Sequence, residues 1–316
     1  MTYHPSGILV PLVTPFTGTG EIAVADLERL AHTVIDDGAA GLVALGTTAE
    51  AASLSPQERR DVVRICAAVS RERRVPLLVG AGSNDTAGTV RALDELGAQS
   101  GVLGAQPDAT AALVVVPYYT RPTEAGVVAH FEHVADRSPV PIVLYNVPYR
   151  TGQQLGWESI VRLAEHPRIV GIKQAVGAVD TETARLLAER PDSFSVLAGE
   201  DTLVSPLFAM GAEGAIAATA NVCTAEFADL FRLWSDGRVE QARGLGNRLV
   251  GPVSALMAGP NPTVIKAVLH AQGRISTPYV RLPLLPFEDP AAIAALVSER
   301  MYRSSPSIDR TIHSLG

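Results

Sequence analysis

Ile169-Val170-Gly171-Ile172-Lys173 is the stretch that decides how this chain folds. Three of its first four residues are β-branched and none is polar, the composition of a short strand buried on both faces. A lysine then ends the run. Outward from it, seven more runs of the same kind occupy 8–13, 41–45, 76–79, 113–116, 142–145, 195–198 and 214–217. Longer stretches with helical periodicity lie between them at 24–37, 56–71, 86–99, 124–137 and 181–189. Several open on Ser, Thr or Asp in the manner of an N-cap; Ser55-Pro56 with Glu58 is one. Strands alternating with helices call for right-handed crossovers and a parallel sheet. Eight repeats predict an α/β fold of the closed (β/α)8 type, a TIM barrel, rather than an open sheet.

Beyond the eighth run the pattern is wholly helical, at 225–236, 239–258, 262–271 and 290–303. The expected organisation is a barrel over 1–222, a C-terminal helical region over 223–303 and a flexible tail over 304–316. Residues 100–110, with Gly101, Gly104 and Pro107, read as an insertion or a lengthened loop before the fourth strand.

Composition removes several classes of function. A net charge of −7 supplies no basic field for nucleic acid or acidic lipid. No glycine-rich nucleotide fingerprint follows a strand. No apolar run approaches the roughly 18 residues of a membrane span, and residues 1–6 carry no signal-peptide pattern. Cys66 and Cys223, far apart and without CxxC spacing, fit a reducing compartment, so a cytoplasmic protein with no membrane partner is expected. Neither a metal nor a cofactor is expected: His130-x-x-His133 has helix-face spacing but no third ligand, and reads as a solvated face.

The lysines are more pointed. Of 26 basic residues, all but Lys173 and Lys266 are arginine. Arginine keeps its proton near neutral pH, whereas amines held out of water shed theirs more readily and then attack carbonyl carbons. Reacting groups of barrel enzymes stand at the C-terminal ends of strands, where Lys173 falls; Lys266 falls inside a helix and reads as structural. Other strand ends carry Gly46-Thr47-Thr48-Ala49-Glu50, either an ordinary turn or a site whose threonines offer hydroxyl and amide donors for a carboxylate, and the loop Tyr145 to Gly152. There Tyr145 is either a proton shuttle or a core tyrosine, and Arg150 either a bidentate carboxylate clamp or a solvated loop residue.

Taken in order, Val13-Thr14-Pro15-Phe16, Gly46-Thr47-Thr48-x-Glu50, Pro117-Tyr118-Tyr119, Tyr145-Asn146-Val147-Pro148, Gly171-Ile172-Lys173 and Asn261-Pro262 make the chain, from about Gly7 to Phe287, similar to one family. It resembles the dihydrodipicolinate synthase and N-acetylneuraminate lyase superfamily of pyruvate-dependent class I aldolases. The resemblance implies an imine between Lys173 and pyruvate, with Tyr145 assisting proton transfer. Thr47 would link Tyr145 to Tyr119, which would reach into a neighbouring subunit's site. Amides at Thr47 and Thr48, beside Gly46, would hold the pyruvate carboxylate, and the Ile216 carbonyl would face the lysine. A homotetramer of tight dimers is implied. Arg150 matches the arginine that dihydrodipicolinate-forming members use on aspartate semialdehyde, which favours that aldehyde over the alternative, another pyruvate-dependent aldolase or lyase acting on a sugar acid or an aromatic 2-keto acid; a catalytically silent barrel is disfavoured by Lys173 and Tyr145. Pro56, Arg59 and Gly88 stand where lysine-sensitive members carry two histidines and a glutamate, so weak feedback by free lysine is expected.

Overall fold

A computed structural model describes residues 3–98 and 109–302. The segment read as an insertion lies outside the described residues except for positions 109 and 110, and so does the tail from 304. Eight strands follow in order: β1 (Gly7–Pro11), β2 (Gly41–Ala44), β3 (Leu77–Gly80), β4 (Ala111–Val115), β5 (Ile142–Asn146), β6 (Ile169–Gln174), β7 (Ser195–Ala198) and β8 (Gly214–Ala215). Each pairs in parallel with the next, and β8 returns to β1 to close the barrel. The seam needs glycine: a Cβ on Gly214 would stand 2.3 Å from the Gly7 carbonyl oxygen, well inside contact distance.

Helices α1 (Val24–Asp36), α2 (Pro56–Arg73), α3 (Thr86–Ala98), α4 (Glu124–Arg137), α5 (Pro148–Thr151), α6 (Trp157–Ala164), α7 (Thr181–Glu189) and α8 (Val204–Ala209) occupy the crossovers. Polar caps set several starts. Ser55 and Glu58 form a reciprocal capping box on α2, and Thr123 and Asp180 accept the orphan amides of Gly126 and Thr183. After β8, α9 (Thr224–Ser235) packs against β1, and α10 (Val239–Leu256) packs on α9. Then α11 (Thr263–Ala271) and α12 (Ala291–Tyr302) complete the C-terminal helical region.

Alternation along the strands divides the core. Ile8 and Val10 join the layer between sheet and helices, while Leu9, Val43, Leu78, Leu113, Leu197 and Ile216 fill the barrel interior. Each such side chain, fully buried, contributes about 1.5–3 kcal/mol.

Three expectations are corrected. Lys173 does not follow the sixth strand but lies within it, because the ladder continues through Tyr145↔Lys173 and Asn146↔Gln174 on one side and Lys173↔Leu197 on the other. The fourth strand starts at Ala111, where Ala111 and Ala112 pair with β3 and β5 despite their weak strand preference. His130 is not on a solvated face: it is buried, within hydrogen-bond distance (3.0 Å) of the Thr86 hydroxyl, and burial holds its imidazole down at about 4.

Candidate active site

A cleft of about 670 Å³ opens where the strands end, bordered by Leu45 to Thr47 after β2, by Val115 and Tyr118 at β4, and by Tyr145, Val147 and Arg150 at β5. Tyr145 and Lys173 face one another across neighbouring strands, each only 8% exposed. The lysine Nζ lies 4.4 Å from the tyrosine ring centroid. Its stem has room because position 199 is glycine: a Cβ there would meet Lys173 Cγ at 2.8 Å. An amine so placed is largely screened from bulk water and lies next to a phenol that borders the cleft.

Gly46 opens a single 3-10 turn over Thr47–Ala49, closed by Glu50 in the left-handed region at φ 53°. Gly46 and Thr47 border the cleft. Thr48 is buried, and its hydroxyl accepts a bond from Asn261 Nδ2 at 3.1 Å. Ile216 is fully buried in the barrel interior beside Tyr145 and Leu197, and its amide donates to the Ala198 carbonyl.

Arg150 sits on the one-turn helix α5, exposed, its guanidinium 4.7 Å from the Tyr149 ring centroid. The loop carrying it is pinned by Asn146. That side chain donates to the Leu155 carbonyl and to Gln174 Oε1 and accepts from the Leu155 amide, so β5 and β6 both hold the loop. The structure thus gathers Lys173, Tyr145, Gly46, Thr47, Thr48, Ile216 and Arg150 at one end of the barrel. It does not gather Tyr119, which stands 88% exposed at φ 72° after β4 while its neighbour Tyr118 borders the cleft.

Sequence reasoning missed two acids. Glu200 and Asp201 follow β7 on the same mouth. Burial raises the Glu200 carboxyl, helped by Asp201 and opposed by Lys173 and Arg150, which places both cations in its field. Asp201 is buried, accepting from the amides of Ala218 and Thr219, yet burial outweighs these bonds and raises its carboxyl too. The signal was available: Gly199-Glu200-Asp201 is an acidic pair at a strand end. Among the described residues no group of three or more His, Cys, Asp or Glu side chains is arranged to hold a metal ion, and no helix is long and apolar enough to cross a membrane.

Comparison with known proteins agrees with this geometry. The sequence model of the dihydrodipicolinate synthetase family matches residues 4–296. The 4-hydroxy-tetrahydrodipicolinate synthase of Thermodesulfovibrio yellowstonii is 38% identical over 281 residues, covering 88% of this chain and 91% of its own. That of Syntrophus aciditrophicus is 39% identical over 280 residues, with the same coverage. Among solved structures, the corresponding synthase of Methylacidiphilum fumariolicum SolV superposes with a TM-score of 0.86 at 32% identity, over 95% of this chain and 98% of that one. A dihydrodipicolinate synthase from Thermotoga maritima gives the same TM-score at 30% identity, over 95% and 99%. With its closed barrel, its buried strand lysine and a family match over nearly its whole length, this chain belongs to the dihydrodipicolinate synthetase family.

Proposed function

We propose that the chain catalyses the 4-hydroxy-tetrahydrodipicolinate synthase reaction, the condensation of pyruvate with aspartate semialdehyde through a Schiff base. The observation that carries it is Lys173: a buried amine 4.4 Å from the ring centroid of Tyr145, which itself borders the cleft together with Thr47 and Arg150. The Lys173 amine adds to C2 of pyruvate, and the carbinolamine loses water to give the imine. Loss of a proton from C3 gives the enamine, whose C3 attacks the aldehyde carbon. Transimination and ring closure then free the lysine.

Tyr145 moves protons at the nitrogen and oxygen during these steps. Thr47 and Thr48 hold the keto-acid carboxylate, and the Ile216 carbonyl faces the amine. Arg150 takes the carboxylate of the aldehyde in bidentate fashion. The reading carries a homotetramer of tight dimers, with Tyr119 entering the neighbour's site; the 88% exposure of its ring supports this. It also carries a cytoplasmic location.

Borohydride reduction in the presence of pyruvate, followed by peptide mapping, tests the chemistry. The expected adduct is on Lys173; an adduct on Lys266, or none, overturns it. A panel of aldehydes separates this activity from that of an aldolase using sugar acids: the expected result is turnover with aspartate semialdehyde.

A further inference from the structure

Lys266, on α11, is completely buried and takes no part in the chemistry above. Its Nζ donates to Glu50 Oε1 at 2.8 Å and to the Thr14 carbonyl at 2.9 Å, and lies 4.2 Å from the Phe16 ring centroid. Burial depresses the ammonium to about 8, with Glu50 pulling the other way and Arg281 adding to the depression. The second oxygen of Glu50 accepts the Arg281 amide at 2.9 Å, so both carboxylate oxygens are fixed.

Glu50 is also the residue that ends the Thr47–Ala49 turn. It does so in the left-handed region, which residues with a Cβ enter only against steric resistance. Its amide donates to the Thr47 carbonyl at 3.3 Å. Thr14 ties in the same place a second time: while its carbonyl takes the ammonium, its hydroxyl donates to the Ala49 carbonyl at 2.8 Å. One cation therefore joins α11, the segment after β1 and the turn after β2.

We infer that the Lys266–Glu50 ion pair is a positioning device that holds the 47–49 turn in the pose from which Thr47 and Thr48 bind the keto-acid carboxylate. This rests on the proposed role of those threonines. General stabilisation of the fold does not require a buried ion pair, since well-packed apolar side chains of similar volume serve as well or better. An ionic anchor at the back of a turn fixes where the turn's donors point.

The test uses the full-length enzyme and three variants: Lys266→Met, Lys266→Met/Glu50→Gln and Thr14→Val. The single lysine variant strands a buried carboxylate and risks misfolding. The double variant removes both charges, and Thr14→Val keeps both while cutting the bond to Ala49. Circular dichroism and thermal melts check folding, and initial rates are measured against pyruvate at saturating aldehyde. In the double variant the expected result is a KM for pyruvate raised about tenfold, the scale of a displaced charge-assisted hydrogen bond, with kcat within about twofold. Thr14→Val is expected to raise that KM about threefold, as for one neutral hydrogen bond. A folded double variant, or Thr14→Val, with wild-type KM for pyruvate overturns the inference; so does a fall in kcat as large as the rise in KM, the mark of general damage. Borohydride trapping of the wild type separates the two levels. If pyruvate is trapped on Lys173 and KM does not move, the positioning role alone falls; if the wild type traps nothing, the role falls together with the chemistry on which it rests.

Discussion

Both lysines of this chain are buried, and they are surrounded in opposite ways. Lys173 lies on β6, with the ring of the cleft-bordering Tyr145 at 4.4 Å and the acids Glu200 and Asp201 acting on it through space. Lys266 lies on α11 with Glu50 at 2.8 Å and a carbonyl at 2.9 Å, sealed from solvent. A buried cation with a directly bonded anion is a fixed charge that organises the backbone around it. A buried amine without such a bond is free to act as a nucleophile. On the roles proposed above, the same residue type takes two functions by one difference, the presence or absence of a hydrogen-bonded carboxylate.

The largest effect should come from exchanging the proposed nucleophile. Lys173→Arg keeps a cation but forms no imine, and turnover should fall by roughly a thousandfold or more; a rate assay that finds substantial residual activity breaks the comparison from the catalytic side. On the structural side, Lys266→Met leaves Glu50 buried and uncompensated. The folded form should lose about 3–5 kcal/mol, measured by denaturant titration, and neutralising Glu50 as well should restore most of it.

A smaller effect sharpens the contrast at the cleft. Arg150→Ala should cost about 1.5–3 kcal/mol in kcat/KM for the aldehyde while the yield of the trapped pyruvate imine stays near wild type. Equal damage to both would show an arginine that shapes the loop rather than one that reads the substrate. Least of all should free lysine matter. Half-inhibition is expected above about 1 mM, equivalent to roughly −4 kcal/mol of binding. Arg59 borders the cleft and would repel an ammonium, and Gly88 offers no carboxylate. The remaining acid of that loop, Asp85, is engaged with the Gly88 amide and the Ser83 hydroxyl. Initial rates against added lysine decide it.

The barrel was readable because strands covered on both faces leave continuous apolar runs, as at Ile169 to Ile172, and helices between them leave a 3.6-residue period. What escaped were features without either signature. Helices α5, α6 and α8 are four to eight residues long, too short to establish a period, and α8 carries Pro206. The first two residues of β4 are alanines. In the candidate site, the residues that sequence reasoning picked lie close to strand ends, where position alone locates them. The partner of Lys266 did not announce itself, because Glu50 lies 216 residues away and only the closed barrel brings them together. Tyr119 could be named from its motif, but a single subunit gives its ring no place in the cleft.

With arginine as the surface cation throughout, the two side-chain amines of this protein are both buried, Lys173 with 8% of its surface exposed and Lys266 with none. Among side chains, amine-selective reagents therefore have only two sites to choose between, without any engineering. A small acylating probe admitted by the cleft should label Lys173, and labelling of Lys266 should begin only when the packing around α11 opens. The ratio of the two labels, read in one digest, would report occupancy of the cleft and local unfolding at the same time.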